Sequence, residues 1–160
     1  MNFFKALVLG LSILTISACS SSRSGEDGEG NDGVNGAHTK ASVSQIQELE
    51  TKVGDRVFFQ YDSPILSSEA QETLRKQAAF MDQNSNLSFV IEGNTDDRGT
   101  REYNIGLGER RANAAKHFLT TLGISPSRLT VVSYGKERPA VIGSDEWSWS
   151  QNRRAVTVAQ

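Results

Sequence analysis

The segment from Glu92 to Ala112 places acidic and basic side chains where they could share one site. Its "TDDRG" loop carries Asp96 beside a second aspartate, and the residues that follow have the spacing of an amphipathic helix. With successive residues about 100° apart, Arg111 falls in the middle of the apolar stripe and Asn104 falls on the same inward face. Because a buried unpaired guanidinium is costly, Arg111 needs a partner, and Asp96 or Asp97 is the candidate.

An acid, a base and an amide in one place allow two interpretations. In the first, Arg111 and an aspartate form a structural ion pair that fastens the loop to the helix. In the second, they bind a ligand at the carboxyl end of a strand, where open sheets commonly bind ligands. A zwitterion would suit this set, because arginine offers a planar fork for a carboxylate and aspartate accepts from an ammonium. The residues alone leave both interpretations open.

The rest of the chain predicts the elements that position these groups. Four segments rich in apolar, β-branched or aromatic residues predict strands: Arg56–Tyr61, Leu87–Gly93, Leu129–Gly135 and Arg154–Gln160. A first main helix follows a capping-box pattern at Ser68 and Gln71, and a second runs from about Thr100 to Leu122 before Gly123. The order β-α-β-α-β-β predicts an α+β fold, with two main helices packed on one face of a mixed four-stranded sheet. A short helix is expected in "SVSQIQELETK".

The N-terminal segment predicts export. An uncharged, mostly apolar run follows Lys5 and is too short to span a bilayer, which is typical of a signal peptide over residues 1–18. Cys19, the single cysteine, follows "ISA" in a pattern that resembles a bacterial lipobox, although Ile16 replaces the usual leucine. We therefore expect Cys19 to be acylated, and two or more acyl chains would give a stable membrane anchor.

Residues 19–42 predict a flexible linker rather than part of a domain. This segment is rich in glycine and acidic residues and has few apolar ones, so it cannot offset the entropy of ordering. Its acidic residues do not have EF-hand spacing, and we predict neither a bound metal nor a cofactor. The formal net charge of −2 gives no support for a nucleic-acid partner. The folded domain is expected over residues 43–160.

Three motifs of the domain are similar to a known family. The segments "EGNTDDRGTREYNIGLGERRANA", "VVSYGKERPA" and "NRRAV" resemble the OmpA-like domain family, and within it the lipoproteins of the Tol–Pal system. The resemblance covers about Arg56–Gln160. It implies the same β-α-β-α-β-β sandwich, with the diaminopimelate-containing stem peptide of peptidoglycan as the ligand. It also implies a lipid anchor in the outer membrane, a domain that faces the periplasm, and the Tol proteins TolB and TolA as partners.

By position, the resemblance also implies particular ligand-binding residues. They are Asp62, Asp96, Asn104, Leu107 and Arg111. One departure is Asn94, where the family usually has histidine. Asparagine can donate a hydrogen bond but does not titrate, so any pH sensitivity of that position should be absent.

Two other motifs have simpler interpretations. Asn152, Arg153 and Arg154 match a signature of the family and are interpreted as packing and loop-fastening groups. Trp147 and Trp149, two residues apart, would face one side of an extended segment. There they either mark a protein partner or cover the edge of the sheet.

Catalysis is the competing class of function. Glu92, Asp96, Asp97 and Glu109 could in principle hold a metal or act as an acid and base in a hydrolase. However, Glu109 falls on the opposite side of its helix, and no histidine joins the cluster. We therefore expect a binding protein and no enzyme, with an OmpA-like lipoprotein of another envelope machine as the alternative.

Overall fold

The structure, a computed structural model, describes residues 40–160. The predicted signal peptide, Cys19 and nearly all of the predicted linker lie outside the described residues. Within residues 40–160, no helix is long and apolar enough to cross a membrane.

Four strands form one mixed sheet, as the sequence predicts. They are β1 (Arg56–Phe58), β2 (Phe89–Asn94), β3 (Leu129–Gly135) and β4 (Arg154–Ala159). Their spatial order is β1-β4-β2-β3, with β2 parallel to β3 and β4 antiparallel to both β1 and β2. β1 is shorter than predicted, because the chain turns at residues 61–62 toward the next helix. The last strand is therefore inserted between the first two.

The helices are α1 (Val43–Glu48), α2 (Ser68–Gln83), α3 (Arg101–Thr121) and α4 (Glu146–Asn152). A wider π-helical turn, Leu49–Val53, continues α1, and a 3₁₀ turn, Pro126–Arg128, precedes β3. The two main helices, α2 and α3, are those that the sequence predicts. α4 was not predicted.

Both main helices cover the same face of the sheet. Gln77 of α2 accepts a 2.8 Å hydrogen bond from Thr157 in β4, and Thr157 pairs in register with Ile91 of β2. Gly93, two residues further along β2 and on the same face, lies directly against Gly108 of α3. The apolar core lies between these layers, and its least exposed side chains include Leu74, Met81, Phe89, Ile91, Leu119 and Ile124.

The predicted ends of the helices are partly right. α3 ends as predicted: Gly123 has a φ of 101°, its N–H donates to Thr120 O, and Ile124 N donates to Leu119 O at 3.2 Å, which is a Schellman motif. The capping box at Ser68 and Gln71 is wrong by one residue. The cap of α2 is Ser67, whose hydroxyl accepts from a backbone N–H at 3.2 Å.

The extended segment predicted around the two tryptophans is also wrong, because it is helix α4. Asp145 caps this helix, since its carboxylate accepts from Ser148 N at 2.9 Å. Residues two apart lie about 200° apart around a helix, so Trp147 and Trp149 cannot face one side. Trp147 is 65% exposed, whereas Trp149 is half-buried.

Gly93 and Gly108 allow β2 and α3 to approach each other at the level of the backbone. A Cβ atom at Gly93 would overlap the carbonyl group of Gly108, and a Cβ atom at Gly108 would lie 2.9 Å from Gly93 O. Only residues without a side chain fit at this crossing. The contact lies one turn before Arg111 and so sets how closely that part of α3 lies against the sheet.

We predict that Gly93→Ala destabilises the domain by about 2 kcal/mol or more, because its methyl group would push α3 away from β2. Urea denaturation of a protein that starts near Ser42 measures the effect. Gly106→Ala is the matched control, since its methyl group would meet only the mobile end of Arg110, at 3.3 Å. Its stability should be unchanged or higher, because alanine favours helix over glycine. Equal stability of wild type and Gly93→Ala would contradict the backbone contact.

Candidate functional site

A cavity of about 240 Å³ lies where three segments meet: the turn after β1, the loop after β2 and the first turns of α3. Its lining consists of Tyr61, Asp62, Asp96, Arg98, Gly99, Tyr103, Asn104, Leu107 and Arg111. The structure thus brings all five sequence-predicted site residues together around one space. Sequence reasoning missed Tyr61, Arg98 and Tyr103, although each lies within two positions of a predicted residue.

The start of α3 places three of these side chains on one face. The hydroxyl group of Thr100 caps the helix by accepting from Tyr103 N at 3.2 Å. Asn104, Leu107 and Arg111 are spaced three and four residues apart, so they lie on the same face of α3, and all three are buried. Arg110 is exposed, as are Glu109 and His117. The helical phase predicted from the sequence is therefore confirmed.

Arg111 is bound by backbone carbonyls, and the prediction that it pairs with Asp96 or Asp97 is wrong. Its Nε donates to Ser63 O, its Nη1 to Asn94 O and its Nη2 to Gln60 O, each at 3.0 Å. Among the ion pairs of residues 40–160, none includes Arg111. The pattern of side chains along a sequence does not show where backbone carbonyls will converge.

The buried Arg111 remains a cation with unused donors. Burial lowers its pKa to about 10, while the nearby charge of Asp96 acts in the opposite direction, so the group is charged at neutral pH. A guanidinium has five N–H donors, and the backbone carbonyls use three of them. Two N–H groups therefore have no hydrogen-bond partner among residues 40–160, and because Arg111 lines the cavity, its charge favours an anionic ligand there.

Asp96 is held by a different arginine. Its Oδ2 accepts from Arg98 Nη2 at 2.7 Å and lies 3.6 Å from Arg153 Nη1, while its Oδ1 accepts from Arg98 N at 3.3 Å. Asp96 is 5% exposed, whereas Asp97 is exposed and does not line the cavity. Of the two candidate aspartates, Asp96 is therefore the one that belongs to the site.

Asp62 lines the cavity from the turn after β1. Its φ of 50° is in the left-handed region, which aspartate and asparagine adopt more readily than most residues. Its carboxylate accepts a hydrogen bond from the Tyr103 hydroxyl group, and this bond raises the pKa of Tyr103. Asp62 is exposed, so its other oxygen is accessible to a ligand.

Asn104 fastens the loop and presents an acceptor to the cavity. Its Nδ2 donates to Arg98 O at 2.8 Å and to Thr100 O at 2.9 Å. Both amide hydrogens are used, so its oxygen is the group left for a ligand. Asn94 contributes differently: its carbonyl accepts from Arg111, and its side chain donates to Glu92 O and does not line the cavity.

The "NRR" motif fastens neighbouring segments, as the sequence predicts. Asn152 Oδ1 accepts from two consecutive backbone N–H groups of the preceding loop, at 2.7 and 3.0 Å. Arg153 Nε donates to Phe59 O at 3.0 Å, and Arg154 Nη2 donates to Arg138 O at 3.1 Å. Arg153 also reaches the site through Asp96.

Within residues 40–160, no three histidine, cysteine, aspartate or glutamate side chains are grouped as they would be to hold a metal ion. The polar groups around the cavity are two carboxylates, two guanidinium groups, two phenols and an amide, all of which can bind an ion or a zwitterion directly.

The fold and this cavity define an α+β sandwich with a charged recess at one end of its sheet. The chain belongs to the OmpA family, whose model matches residues 58–154. It is 44% identical to the peptidoglycan-associated lipoprotein of Mesorhizobium japonicum over 147 residues, which is 92% of this chain and 86% of that protein. It is 39% identical to that of Pasteurella multocida over 152 residues, 95% of each chain.

Two solved structures are similar to this chain. The crystal structure of the peptidoglycan-associated lipoprotein from Burkholderia pseudomallei matches with a TM-score of 0.64 and 42% identity, over 66% of this chain and 90% of that one. The C-terminal domain of Helicobacter pylori MotB matches with a TM-score of 0.62 and 19% identity, over 66% of this chain and 84% of that one. The second match shows a shared fold alone.

We predict that Arg111→Lys lowers the free energy of unfolding by about 2–5 kcal/mol even though it keeps the charge, because one ammonium cannot reach three diverging carbonyls. Urea denaturation at pH 7 measures the loss. Arg110→Lys is the matched control on the exposed face and should change stability by less than about 0.5 kcal/mol. If both variants were as stable as wild type, the three carbonyl bonds would not hold the domain together.

Proposed function

We propose that residues 43–160 bind the diaminopimelate residue of the peptidoglycan stem peptide non-covalently. The observation that carries this proposal is the buried, charged Arg111, which has no ion-pair partner within residues 40–160 and shares its cavity with two carboxylates. The free end of diaminopimelate carries an ammonium and a carboxylate on one carbon. Such a zwitterion complements an arginine and aspartates that line one small cavity.

Five residues of the lining bind the ligand in this proposal. The two unused N–H groups of Arg111 bind the ligand carboxylate, and Asp62 and Asp96 accept from its ammonium. The Asn104 oxygen accepts a further hydrogen bond, and Leu107 packs against the aliphatic part of the side chain. The cavity is smaller than the range of about 300–1,000 Å³ common for drug-sized ligands, which suits the end of one residue.

The relatives support the choice of ligand. Proteins 39–47% identical to this chain are named peptidoglycan-associated lipoproteins, and the matched family is shared with them. Their names also support a lipid anchor. We propose that residues 1–18 are a signal peptide, that Cys19 is acylated in the outer membrane, and that residues 19–42 link the anchor to a periplasmic domain.

In the cell, the protein would tether the outer membrane to the cell wall as a part of the Tol–Pal system, with TolB and TolA as partners. This arrangement would contribute to envelope integrity and to constriction of the outer membrane during division. We propose binding without catalysis, because relatives 39–47% identical to this chain are named for their association with peptidoglycan. Purified sacculi incubated with the domain should release no soluble muropeptides.

Changing the ligand tests this proposal without disturbing the protein. A tripeptide with diaminopimelate should bind the domain more tightly than one with lysine at the same position, by about 30-fold or more, because lysine lacks the carboxylate and leaves Arg111 unpaired. Isothermal titration calorimetry measures both affinities. Equal affinities would show that Arg111 does not bind the ligand carboxylate.

A matched pair of protein variants tests whether a carboxylate of the cavity binds the ligand ammonium. Asp62→Asn keeps the shape and tolerates the same backbone conformation, so it should fold normally and bind the diaminopimelate peptide about tenfold or more weakly. Asp97→Asn removes a charge from the neighbouring loop, outside the cavity, and should bind like wild type. If both variants lost the same affinity, the effect would come from net charge and not from the site.

We predict that Cys19→Ser leaves an unacylated precursor and removes the protein from the outer membrane, because the hydroxyl group cannot receive the diacylglycerol that precedes signal cleavage. Metabolic labelling with a fatty-acid analogue, followed by membrane fractionation, measures both changes. Ser20→Ala is the control and should remain labelled. Recovery of the wild-type protein in the soluble periplasmic fraction with a free thiol would contradict the anchor.

A further inference from the structure

Arg98 lies between two aromatic rings that come from distant parts of the chain. Its Cζ is 4.0 Å from the centre of the Tyr61 ring and 4.0 Å from the centre of the Trp149 ring. Tyr61 belongs to the turn after β1, whereas Trp149 belongs to α4. The guanidinium plane is therefore held on both sides by cation–π contacts, while its Nη2 binds Asp96.

We infer that Trp149 is a positioning residue for the charged cavity and that it acts through Arg98 on Asp96. Trp149 is not part of the cavity lining. Its ring fixes Arg98, and Arg98 holds the Asp96 carboxylate away from Arg111. This inference rests on the proposed function, because the affinity that it explains is the affinity for the diaminopimelate peptide.

Arg98 and Arg111 are the two guanidinium groups of the cavity lining that could pair with Asp96. Asp96 and Arg111 carry opposite charges in one cavity, and direct pairing between them would neutralise both groups before a ligand arrives. The structure shows a different arrangement: Arg98 and Arg153 occupy Asp96 Oδ2, and backbone carbonyls occupy Arg111. Because Asp96 does not pair with Arg111, Arg111 can bind the carboxylate of a zwitterion. Asp96 Oδ1, which accepts one hydrogen bond from Arg98 N, can still accept from the ammonium.

Arg98 alone would hold Asp96 poorly. Its side chain is still 30% exposed, and holding a long side chain in one geometry costs conformational freedom, which reduces the net gain from an ion pair. The two rings remove this freedom in advance. A pre-organised cavity then binds its ligand without first ordering the groups that line it.

Calorimetry with the diaminopimelate tripeptide tests the inference. Trp149→Leu keeps an apolar side chain but removes the aromatic face, and it should weaken peptide binding about tenfold. Trp149→Phe retains a ring and should restore binding to within about threefold of wild type. Trp147→Leu is the matched control on the same helix; because Trp147 is 65% exposed, binding should remain within about twofold of wild type.

A double-mutant cycle separates positioning from general packing. If Trp149 acts only through Arg98, Trp149→Leu should have no further effect on binding in an Arg98→Met background. Thermal denaturation confirms that each variant is folded. Additive losses in the cycle, or equal affinities of Trp149→Leu and wild type, would overturn the inference.

Nuclear magnetic resonance of the free protein gives a readout that needs no ligand. The Arg98 side-chain protons should be shifted upfield by the two rings, and this shift should decrease in Trp149→Leu but persist in Trp147→Leu. If the wild-type domain failed to bind the peptide while this shift behaved as expected, the proposed ligand would be wrong, but the contacts of Arg98 with Tyr61 and Trp149 would be confirmed. If the Arg98 side-chain protons of the wild-type protein showed no upfield shift, the contacts with the two rings, and the inference with them, would be wrong.

Discussion

The guanidinium group of Arg111 is the interaction on which the site depends. It binds carbonyls of the turn after β1, through Gln60 and Ser63, and of the end of β2, through Asn94. Three segments that are distant in sequence therefore meet at one side chain of α3. Because no carboxylate of residues 40–160 forms an ion pair with Arg111, this one residue both holds the three segments together and makes a recess suited to anions.

Other arginines use the same kind of bond. Arg128 donates to Leu87 O, Met81 O and Asn84 O, at 2.8 to 2.9 Å, and so joins the end of α2 to the start of β2. Arg153 donates to Phe59 O. A planar group with five donors satisfies several buried carbonyls at once, which a lysine cannot do. These bonds hold loops that carry few apolar residues of their own, among them the loops around the cavity.

The separation of acid from base gives the site its chemical character. Asp96 forms an ion pair with Arg98, which contacts the rings of Tyr61 and Trp149. Asp62 accepts a hydrogen bond from the Tyr103 hydroxyl group. Arg111 thus lines the cavity without an ion-pair partner from residues 40–160, although two carboxylates line the same space. The close backbone contact between Gly93 and Gly108 brings α3 near enough to β2 for this arrangement to form.

Local sequence determined the four strands, the two main helices, the inward phase of Asn104 and Arg111, and the end of α3 at Gly123, because these follow from periodicity and from neighbouring residues. It could not decide between Ser67 and Ser68 as the cap of α2, since both are serines.

The tertiary structure alone decided the partners of Arg111. Its bonds to Ser63 and Gln60 join residues 48 and 51 positions apart, and they end on backbone carbonyls, which every residue carries. The stack of Arg98 on Trp149 has the same origin, because α4 meets the loop only when the sheet has assembled.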